Sequence, residues 1–494
     1  MSSRRLILKG GATLGFGQAV SQACSFVRNI IIARLISPAD FGIAATFAVT
    51  ISVFELTSNL NMDKLLIQAE DGNEAAFQKT AQLLQAVKGL INAIFILLLG
   101  GPIAYLFGEP RARWAFFLLA LVPLLRSFIH LDTYRFQREM RFRPAVTVDV
   151  CSQVLVTVVA LPLAFWLRDY TAMLWILILQ AASAMVISHV VSERPYGWAW
   201  EKFYVRRIIS FGWPLLVNGL LLFIIMDGDR FIIGSAHRLF PGNSLTLADL
   251  GVYSVAFAMT MAPTMLVSTV SSSVLLPVLS RTHELRQQFE RRYTAYVQAL
   301  SVVAIGIAVP LILCGGWMVT LVYGAKYAAV HRFIGWLGAM WSLRVVRNGP
   351  TVAALSLGDS RNSMYSNIAR TSSLAGVLTA AAVGAGLEWI AIAGFIGELF
   401  ALLVCVVRLS RVHHVRASNF VKPFVVYAAS VLAAGAVAGA GLQSFGEIAS
   451  VTAAAGIVAF ACVAMLIAFP RLRDDVGGLI LESRFSFFLM AAGR

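Results

Sequence analysis

The residues best suited to chemistry in this sequence are charged side chains set inside long apolar stretches. An ionisable group inside a stretch that spans a bilayer costs at least a few kcal/mol, so it usually faces a cavity or a partner. The residues in this setting are Arg28, Glu55, Lys88, Arg126, Asp149, Asp227, Asp229, Arg230, Arg344, Arg347 and Arg370. The set is mostly cationic, and guanidinium groups can hold diphosphate oxygens bidentately. The pattern therefore predicts a cavity for a large anionic ligand that carries a lipid tail.

Four arginines are the predicted ligand contacts within these stretches. Arg28 and Arg230 stand at matching positions of an internal repeat, close to predicted helix ends. The alternative for both is a side chain that reaches out to lipid headgroups. Arg344 and Arg347 are three residues apart and so share one helix face, with Pro350 placed to kink the helix beneath them. The alternative for these two is an anchor at the membrane interface.

Three acidic residues are candidates for coupling to a proton or cation. Asp227 and Asp229 are two positions apart, so they do not share a helix face. Either one has a simpler alternative, which is to pair with a basic residue of a neighbouring helix. Glu55 is the third candidate, and its alternative is a structural ion pair with Lys88 between the second and third apolar stretches.

The elements that must position these charges are apolar helices. Hydrophobic residues make up 59% of the 494 residues and charged residues 13%, whereas a soluble protein has about 25% charged residues. A helix needs about 20 mostly apolar residues to cross a bilayer. The predicted spans are 10–35, 41–60, 80–107, 114–133, 144–167, 171–192, 206–234, 248–278, 295–323, 330–357, 363–385, 388–408, 421–442 and 449–469. The expected fold is an all-α polytopic membrane protein with about 14 transmembrane helices.

The net charge of +15 is concentrated in the short connectors between apolar stretches. Basic residues cluster around 135–143, 194–207, 281–292 and 408–422, which are alternate connectors, and the other connectors hold few. This alternation is typical of the positive-inside rule rather than of a nucleic-acid surface. We therefore expect a bacterial inner-membrane protein with both termini in the cytoplasm and no nucleic-acid partner.

A repeated segment predicts how the helices are grouped. Arg-x-Ile-Ile followed by Ala-Asp-x-Gly occurs from Arg28 to Gly42 and again from Arg230 to Gly251. Six spans separate equivalent points, and an even number gives both copies the same orientation, which makes a parallel repeat. The predicted domains are an N-lobe of spans 1–6 (1–200), a C-lobe of spans 7–12 (201–412), two accessory spans (413–470) and a cytoplasmic amphipathic tail (471–494).

The sequence lacks the common enzymatic motifs. It has no phosphate-binding Walker loop, no His/Cys metal cluster and no Gly-x-Ser-x-Gly. The five cysteines lie inside apolar stretches, where a small apolar packing role is expected. We therefore expect no enzyme activity, no metal and no cofactor, and an energy source other than ATP.

Several motifs resemble the polysaccharide transporter family. They are RNIIIARLISPADFG at 28–42, REMRF at 138–142, LGVY at 250–253 and SVLLPVLSR at 273–281. This family contains the O-antigen and exopolysaccharide repeat-unit flippases of the multidrug/oligosaccharidyl-lipid/polysaccharide exporter superfamily. The resemblance implies two six-helix lobes, alternating access, and a polyprenyl-diphosphate-linked oligosaccharide as substrate. It points most directly to Arg28, and then to Asp40 as a carboxylate in the turn.

The expected partners follow from that resemblance. They are the lipid-linked oligosaccharide and membrane lipids, with a polysaccharide polymerase and a chain-length regulator as further candidates. One alternative is a cation-coupled multidrug antiporter of the same superfamily, which would need an acidic and aromatic cavity. Another is a membrane-embedded polymerase or acyltransferase, which would need a large external loop or an intramembrane His/Asp pair.

Overall fold

The computed structural model describes residues 3–280, 285–440 and 447–468, and all regular structure in these ranges is helical. The predicted tail, 471–494, lies outside the described residues. The α-helices are α1 Ser3–Leu35, α2 Pro38–Thr57, α3 Met62–Gln68, α4 Ala75–Leu106, α5 Arg113–Leu118, α6 Leu121–Ser127, α7 Asp132–Arg138, α8 Arg143–Leu167, α9 Thr171–Val191, α10 Lys202–Leu239, α11 Leu247–Ser280, α12 Arg286–Tyr323, α13 Ile334–Ser356, α14 Arg361–Arg370, α15 Ser372–Ala382, α16 Leu387–His413, α17 Ser418–Gly439 and α18 Glu447–Ala468. Two short 3-10 helices span Pro110–Ala112 and Ala325–Arg332.

The membrane-spanning character of these helices is clear. Within the described ranges, 10 helices are long and apolar enough to cross a bilayer, or up to 11 if the bent pair Pro110–Ser127 and Asp132–Arg138 is one span. An all-α, multi-pass membrane protein is therefore confirmed.

The structure differs from the predicted spans in detail. Helices α1 and α13 coincide with predicted spans but are not among the ten. The predicted span 114–133 is broken into α5 and α6, and the predicted span 363–385 into α14 and α15. The number of 14 transmembrane helices therefore stays a prediction.

The two copies of the repeat begin their helices in the same way. At the start of α2, Ser37 Oγ accepts a hydrogen bond from the N–H of Asp40 (3.1 Å) and donates one to its carboxylate (2.5 Å). At the start of α11, Thr246 Oγ1 accepts from the N–H of Asp249 (3.3 Å) and donates to its carboxylate (2.7 Å). A hydroxyl before the helix and a carboxylate three residues on form a capping pair that satisfies amides of the first turn. The repeated Asp is therefore a helix-start residue in both copies.

The glycine that follows each of these aspartates permits a close helix crossing. A Cβ atom on Gly42 would come within 1.7 Å of the carbonyl oxygen of Leu247, and one on Gly251 within 2.0 Å of that of Pro38. No side chain fits at either position. The first turns of α2 and α11 therefore cross backbone to backbone, with a glycine from each copy of the repeat at the contact.

The chain divides into two compact units. The first unit comprises Met1–Ala262, Val319–Val330 and Arg370–Gly397. Its core contains a buried cluster in which Phe47 of α2 meets Phe116 of α5 edge to face, with ring centroids 5.1 Å apart. Helix α1 packs on α8, and α10 packs on α2.

The second unit comprises Pro263–Met318, His331–Ala369 and Glu398–Arg494. In it, α13 packs against α17 and α17 against α18. The hydroxyls of Ser342 and Tyr427 lie 2.8 Å apart in a buried contact between α13 and α17. The division into an N-lobe (1–200) and a C-lobe (201–412) stays a prediction.

Candidate functional site

The first unit contains a polar cavity of about 240 Å³ between α2, α3, α4 and α6. Its polar lining residues are Glu55, Asn59, Asp63, Gln85, Lys88, Asn92, Arg126, Ser127 and Tyr134. Glu55 lies in the last turn of α2. Lys88 is 13 residues beyond the start of α4 at Ala75, which places it about 20 Å along the helix. The cavity therefore reaches well into an apolar helix bundle.

A close approach between α4 and α6 forms the back of the cavity. A Cβ atom on Gly89 would lie 2.1 Å from Cβ of Ser127 and 2.8 Å from the carbonyl oxygen of Pro123. Gln85 donates to the carbonyl oxygens of Ser127 (3.1 Å) and Ile129 (3.2 Å), which lie at and beyond the end of α6. Carbonyls at a helix end lack intrahelical partners, so these bonds fix α6 against α4. The packing at Gly89 brings the neighbouring Lys88 and Arg126 to one cavity.

The charged groups of the cavity are only partly paired. Arg126 forms an ion pair with Glu55 at 2.5 Å, and the two side chains are 32% and 30% exposed. Glu55 thus pairs with α6 rather than with Lys88. Within the described residues, neither Lys88 nor Asp63 has an ion-pair or hydrogen-bond partner, although both line the cavity. The cavity therefore holds an ammonium group with no direct counter-ion.

Arg28 is buried between α1 and α8 without a carboxylate partner in the described part of the chain. It is 5% exposed. One guanidinium nitrogen donates to Gln153 Oε1 (2.7 Å) and the other to Ser25 Oγ (3.2 Å). Both partners are neutral. A buried cation with neutral partners is costly, which is the usual mark of a functional group.

Asp227, Asp229 and Arg230 form a buried network on α10. Arg230 is ion-paired with Asp227 of its own helix, and Asp227 accepts a hydrogen bond from Ser52 of α2 (2.5 Å). Asp229 accepts instead from the hydroxyl of Tyr253 of α11 (2.5 Å). The two carboxylates thus have different partners, as their spacing predicts, and the cationic partner of Asp227 is on its own helix.

Arg344 and Arg347 both lie on α13 in the second unit. Arg347 is 5% exposed and donates to Glu398 Oε1 (2.5 Å) and to Ser366 Oγ (2.9 Å). Glu398, on α16, is fully buried. The guanidinium of Arg344 lies over the ring of Trp341, 5.1 Å from its centroid. The charge of Arg347 is therefore already neutralised inside the protein.

Lys88 and Arg126 are separate candidates in the sequence, and the structure brings them to one site. Each lies in an apolar stretch, which was the available signal. Their proximity depends on the register of α4 against α6, which no local pattern encodes. Glu55, a predicted coupling residue, belongs to this cavity. Asp40, a predicted substrate contact, serves as the helix-start residue described above.

Solved structures with a similar fold are membrane transporters. The lipid II flippase MurJ in an inward closed conformation matches with a TM-score of 0.72 and 12% identity, over 92% of this chain and 99% of that one. An inward-facing MATE multidrug transporter of the MOP superfamily matches with a TM-score of 0.67 and 14% identity, over 81% and 96%. At such identities the likeness concerns the fold.

Sequence relatives belong to polysaccharide biosynthesis. Teichuronic acid biosynthesis protein TuaB of Bacillus subtilis is 21% identical over 325 residues, 63% of this chain and 63% of the relative. Succinoglycan biosynthesis transport protein ExoT of Rhizobium meliloti is 23% identical over 322 residues, 63% and 61%. This chain thus spans about three fifths of the length of these relatives. A model of the family described as polysaccharide biosynthesis protein matches residues 31–332. The resemblance seen in the motifs is confirmed, and the chain belongs to the polysaccharide biosynthesis protein family.

Proposed function

We propose that the protein translocates a polyprenyl-diphosphate-linked oligosaccharide repeat unit across the bacterial inner membrane, for surface or exopolysaccharide biosynthesis. The observation that carries this proposal is the polar cavity among membrane-spanning helices, in which Lys88 has no partner within the described residues. A cation placed in such a bundle requires compensation, and an anionic ligand supplies it. The family membership gives the ligand its class, because two relatives are named for teichuronic acid biosynthesis and for succinoglycan biosynthesis transport.

Alternating access is the mechanism we propose. Two six-helix lobes, 1–200 and 201–412, would rock against each other, with both termini in the cytoplasm. The matching helix starts and the crossing of Gly42 with Gly251 support a repeat of this kind. This crossing is at the end of α2 that the charge pattern predicts to be periplasmic. It would close that end while the cavity loads from the other side, and it must separate for release.

The predicted binding residues enter this proposal unequally. Arg28 retains a role as a buried cation with neutral partners. Glu55, a predicted coupling group, lines the cavity as the ion-pair partner of Arg126. Arg230 and Arg347 are already ion-paired with acidic side chains of their own units. Of the predicted coupling groups, Asp227 and Asp229 lie at a junction between α2, α10 and α11, where a proton or cation would affect helix packing.

A cation-coupled multidrug antiporter is the alternative, since MATE transporters share the fold. A site for cationic drugs should present unpaired carboxylates to the cavity and no free cation. Here Glu55 is occupied by Arg126. The carboxylate of Asp63, unpaired among the described residues, shares the cavity with the likewise unpaired ammonium group of Lys88, which a site for cationic drugs should lack. The cavity chemistry therefore favours an anionic ligand.

Reconstituted vesicles test the function directly. The purified protein is placed in liposomes with a fluorescent short-chain polyprenyl diphosphate that carries one sugar, and a membrane-impermeant quencher reports which leaflet holds the lipid. We expect the protein to speed exchange between leaflets well above that of protein-free vesicles. The same assay with a fluorescent cationic dye in place of the lipid measures the alternative, and dye transport without lipid exchange would replace the proposal.

A further inference from the structure

We propose that the cavity between α2, α3, α4 and α6 is a phosphate-binding site, in which Lys88 and Arg126 hold the anion and Glu55 is the counter-ion that the anion displaces. This inference rests on the proposed function and names the part of the substrate that binds here: the phosphate ester or diphosphate next to the sugar.

Lys88 shares the cavity with Glu55 and Asp63 but forms no direct ion pair with either of them. Its ammonium group lies in the cavity about 20 Å along α4, and no carboxylate of the described residues lies within ion-pair distance. Gln85 and Gly89, on either side of it in sequence, are fixed against α6. The helix at Lys88 is therefore held in place, while the charge at the end of the side chain has no assigned partner.

The Arg126–Glu55 ion pair is accessible from the cavity. Both side chains are about one third exposed, and both line the cavity. A phosphate that enters can therefore reach the guanidinium. It carries more negative charge than a carboxylate and presents oxygens that suit the bidentate geometry of Arg. A ligand that reaches both cations gains contacts that Glu55 alone cannot make.

The remaining groups suit the sugar. Asn59 and Asp63 line the cavity beside α3, and Asn92 of α4 also lines it, with its amide donating to Ser58 Oγ (2.8 Å). Amides donate to and accept from hydroxyl groups, and carboxylates accept from them. Lys88, Arg126, Glu55 and Asp63 all line the cavity, so their formal charges balance in the absence of ligand. The anion adds negative charge, and so competition with Glu55 should be measurable.

The test measures binding by the purified full chain in detergent with three probes: farnesyl diphosphate, inorganic pyrophosphate and farnesol. We expect Lys88→Gln to weaken farnesyl diphosphate binding about tenfold or more, as for a lost hydrogen bond to a charged group. Glu55→Gln removes the competitor and should tighten the same binding about two- to fivefold, the size of a partly exposed ion pair. Farnesol binding should not change with either variant.

Opposite signs distinguish this site from a structural role. If Lys88 and Glu55 only supported the fold, both variants would weaken binding together, and that result would overturn the proposal, as would unchanged affinity of Lys88→Gln. Lys64→Gln is the matched control, since Lys64 is an exposed residue of α3 outside the cavity lining. Lys88→Arg keeps the charge and should keep most of the affinity, so it tests the idea if the Gln variant does not fold.

The pyrophosphate arm separates the two sources of the anion. Pyrophosphate that binds as tightly as farnesyl diphosphate would indicate a site for free phosphates and overturn the assignment to a lipid-linked substrate. The vesicle assay separates this inference from the proposed function. Lipid exchange that persists at full rate in Lys88→Gln removes the site and leaves the function. Binding shifts of the expected signs in a protein that exchanges no lipid remove the function and leave the site.

Discussion

The two units of the molecule each contain a Glu–Arg ion pair between helices, at the same distance and at different depths. Glu55 and Arg126 in the first unit are 2.5 Å apart and about one third exposed. Arg347 and Glu398 in the second unit are also 2.5 Å apart, with exposures of 6% and 0%. Pairing alone therefore does not separate structural charges from functional ones, whereas access to a cavity does.

Two further cations extend the comparison. Lys88 lies in the cavity of the first pair and lacks any partner in the described residues, and Arg28 is buried with neutral partners. A fully buried pair has to be complete in the resting protein, because water cannot compensate either charge. A cation without a carboxylate leaves room for an anion that arrives with the substrate. Arg347, whose ion pair is buried and complete, is thus expected to support the fold. Lys88, which has no carboxylate partner in the described part of the chain, is expected to bind the ligand.

The largest effect is expected at the buried pair. Arg347→Met leaves Glu398 buried without its cation, which typically costs about 3–5 kcal/mol. The variant should be much less stable than the parent in detergent, as measured by thermal unfolding. The double variant Arg347→Met with Glu398→Leu should recover most of the stability, because an apolar replacement of a buried pair is often neutral. A single variant as stable as the parent would show that the pair does not support the fold.

Part of this comparison could be predicted from the sequence. The apolar stretches gave the helices, and the spacing of Ser37, Pro38 and Asp40 is a local helix-start signal that the structure reproduces. Glu398 was missed, although it stands alone among apolar residues in α16, because its cationic partner is 51 positions away. Local patterns specify where a charge lies on its own helix, but they do not identify its partner on another helix.

Contacts between helices could not be predicted from the sequence, for a physical reason. The Lys88–Arg126 cavity depends on the packing of Gly89 against Ser127, and the partner of Glu55 depends on the same register. Packing of this kind is set by the shapes of two helix faces together.

Arg28 should show an intermediate effect on stability and a complete one on transport. Arg28→Ala leaves the acceptor of Gln153 unpaired, which costs about 1–3 kcal/mol. Lipid exchange in vesicles should be lost, and Arg28→Lys should restore only part of it, since Lys cannot bind in the forked mode.

A matched pair of variants separates the two roles of Arg28. In Arg28→Met with Gln153→Leu, the buried charge and its acceptor are both removed, so stability should return while lipid exchange stays absent. Recovery of lipid exchange together with stability would assign Arg28 to the fold alone.

The exposed pair should show a small effect on stability. Arg126→Met removes a partner from Glu55, whose carboxylate remains accessible to water, so the free energy of unfolding should fall by no more than about 1 kcal/mol. Thermal unfolding beside the Arg347 variant gives the comparison directly. Losses of equal size at both sites would show that depth does not distinguish the two pairs.

The smallest effect is expected at an ion cluster in the connection between α13 and α14, outside the predicted spans. There Asp359 lies 3.3 Å from Arg408 and 3.2 Å from His413. Partial burial tends to raise the pKa of Asp359, but the hydrogen bond with His413 and the charge of Arg408 outweigh it and hold that pKa below its ordinary value of 3.8.

A carboxylate whose pKa is depressed in the folded state contributes stability at pH values above its unfolded pKa. That contribution is lost as the pH falls through the folded pKa. Asp359→Asn should therefore lower stability at pH 7 by no more than about 1 kcal/mol, and this difference should shrink as the pH is lowered below 3.8. Melting temperatures of parent and variant across this range measure it, and a difference that stays constant down to the acid limit would mean that the ionised carboxylate contributes nothing.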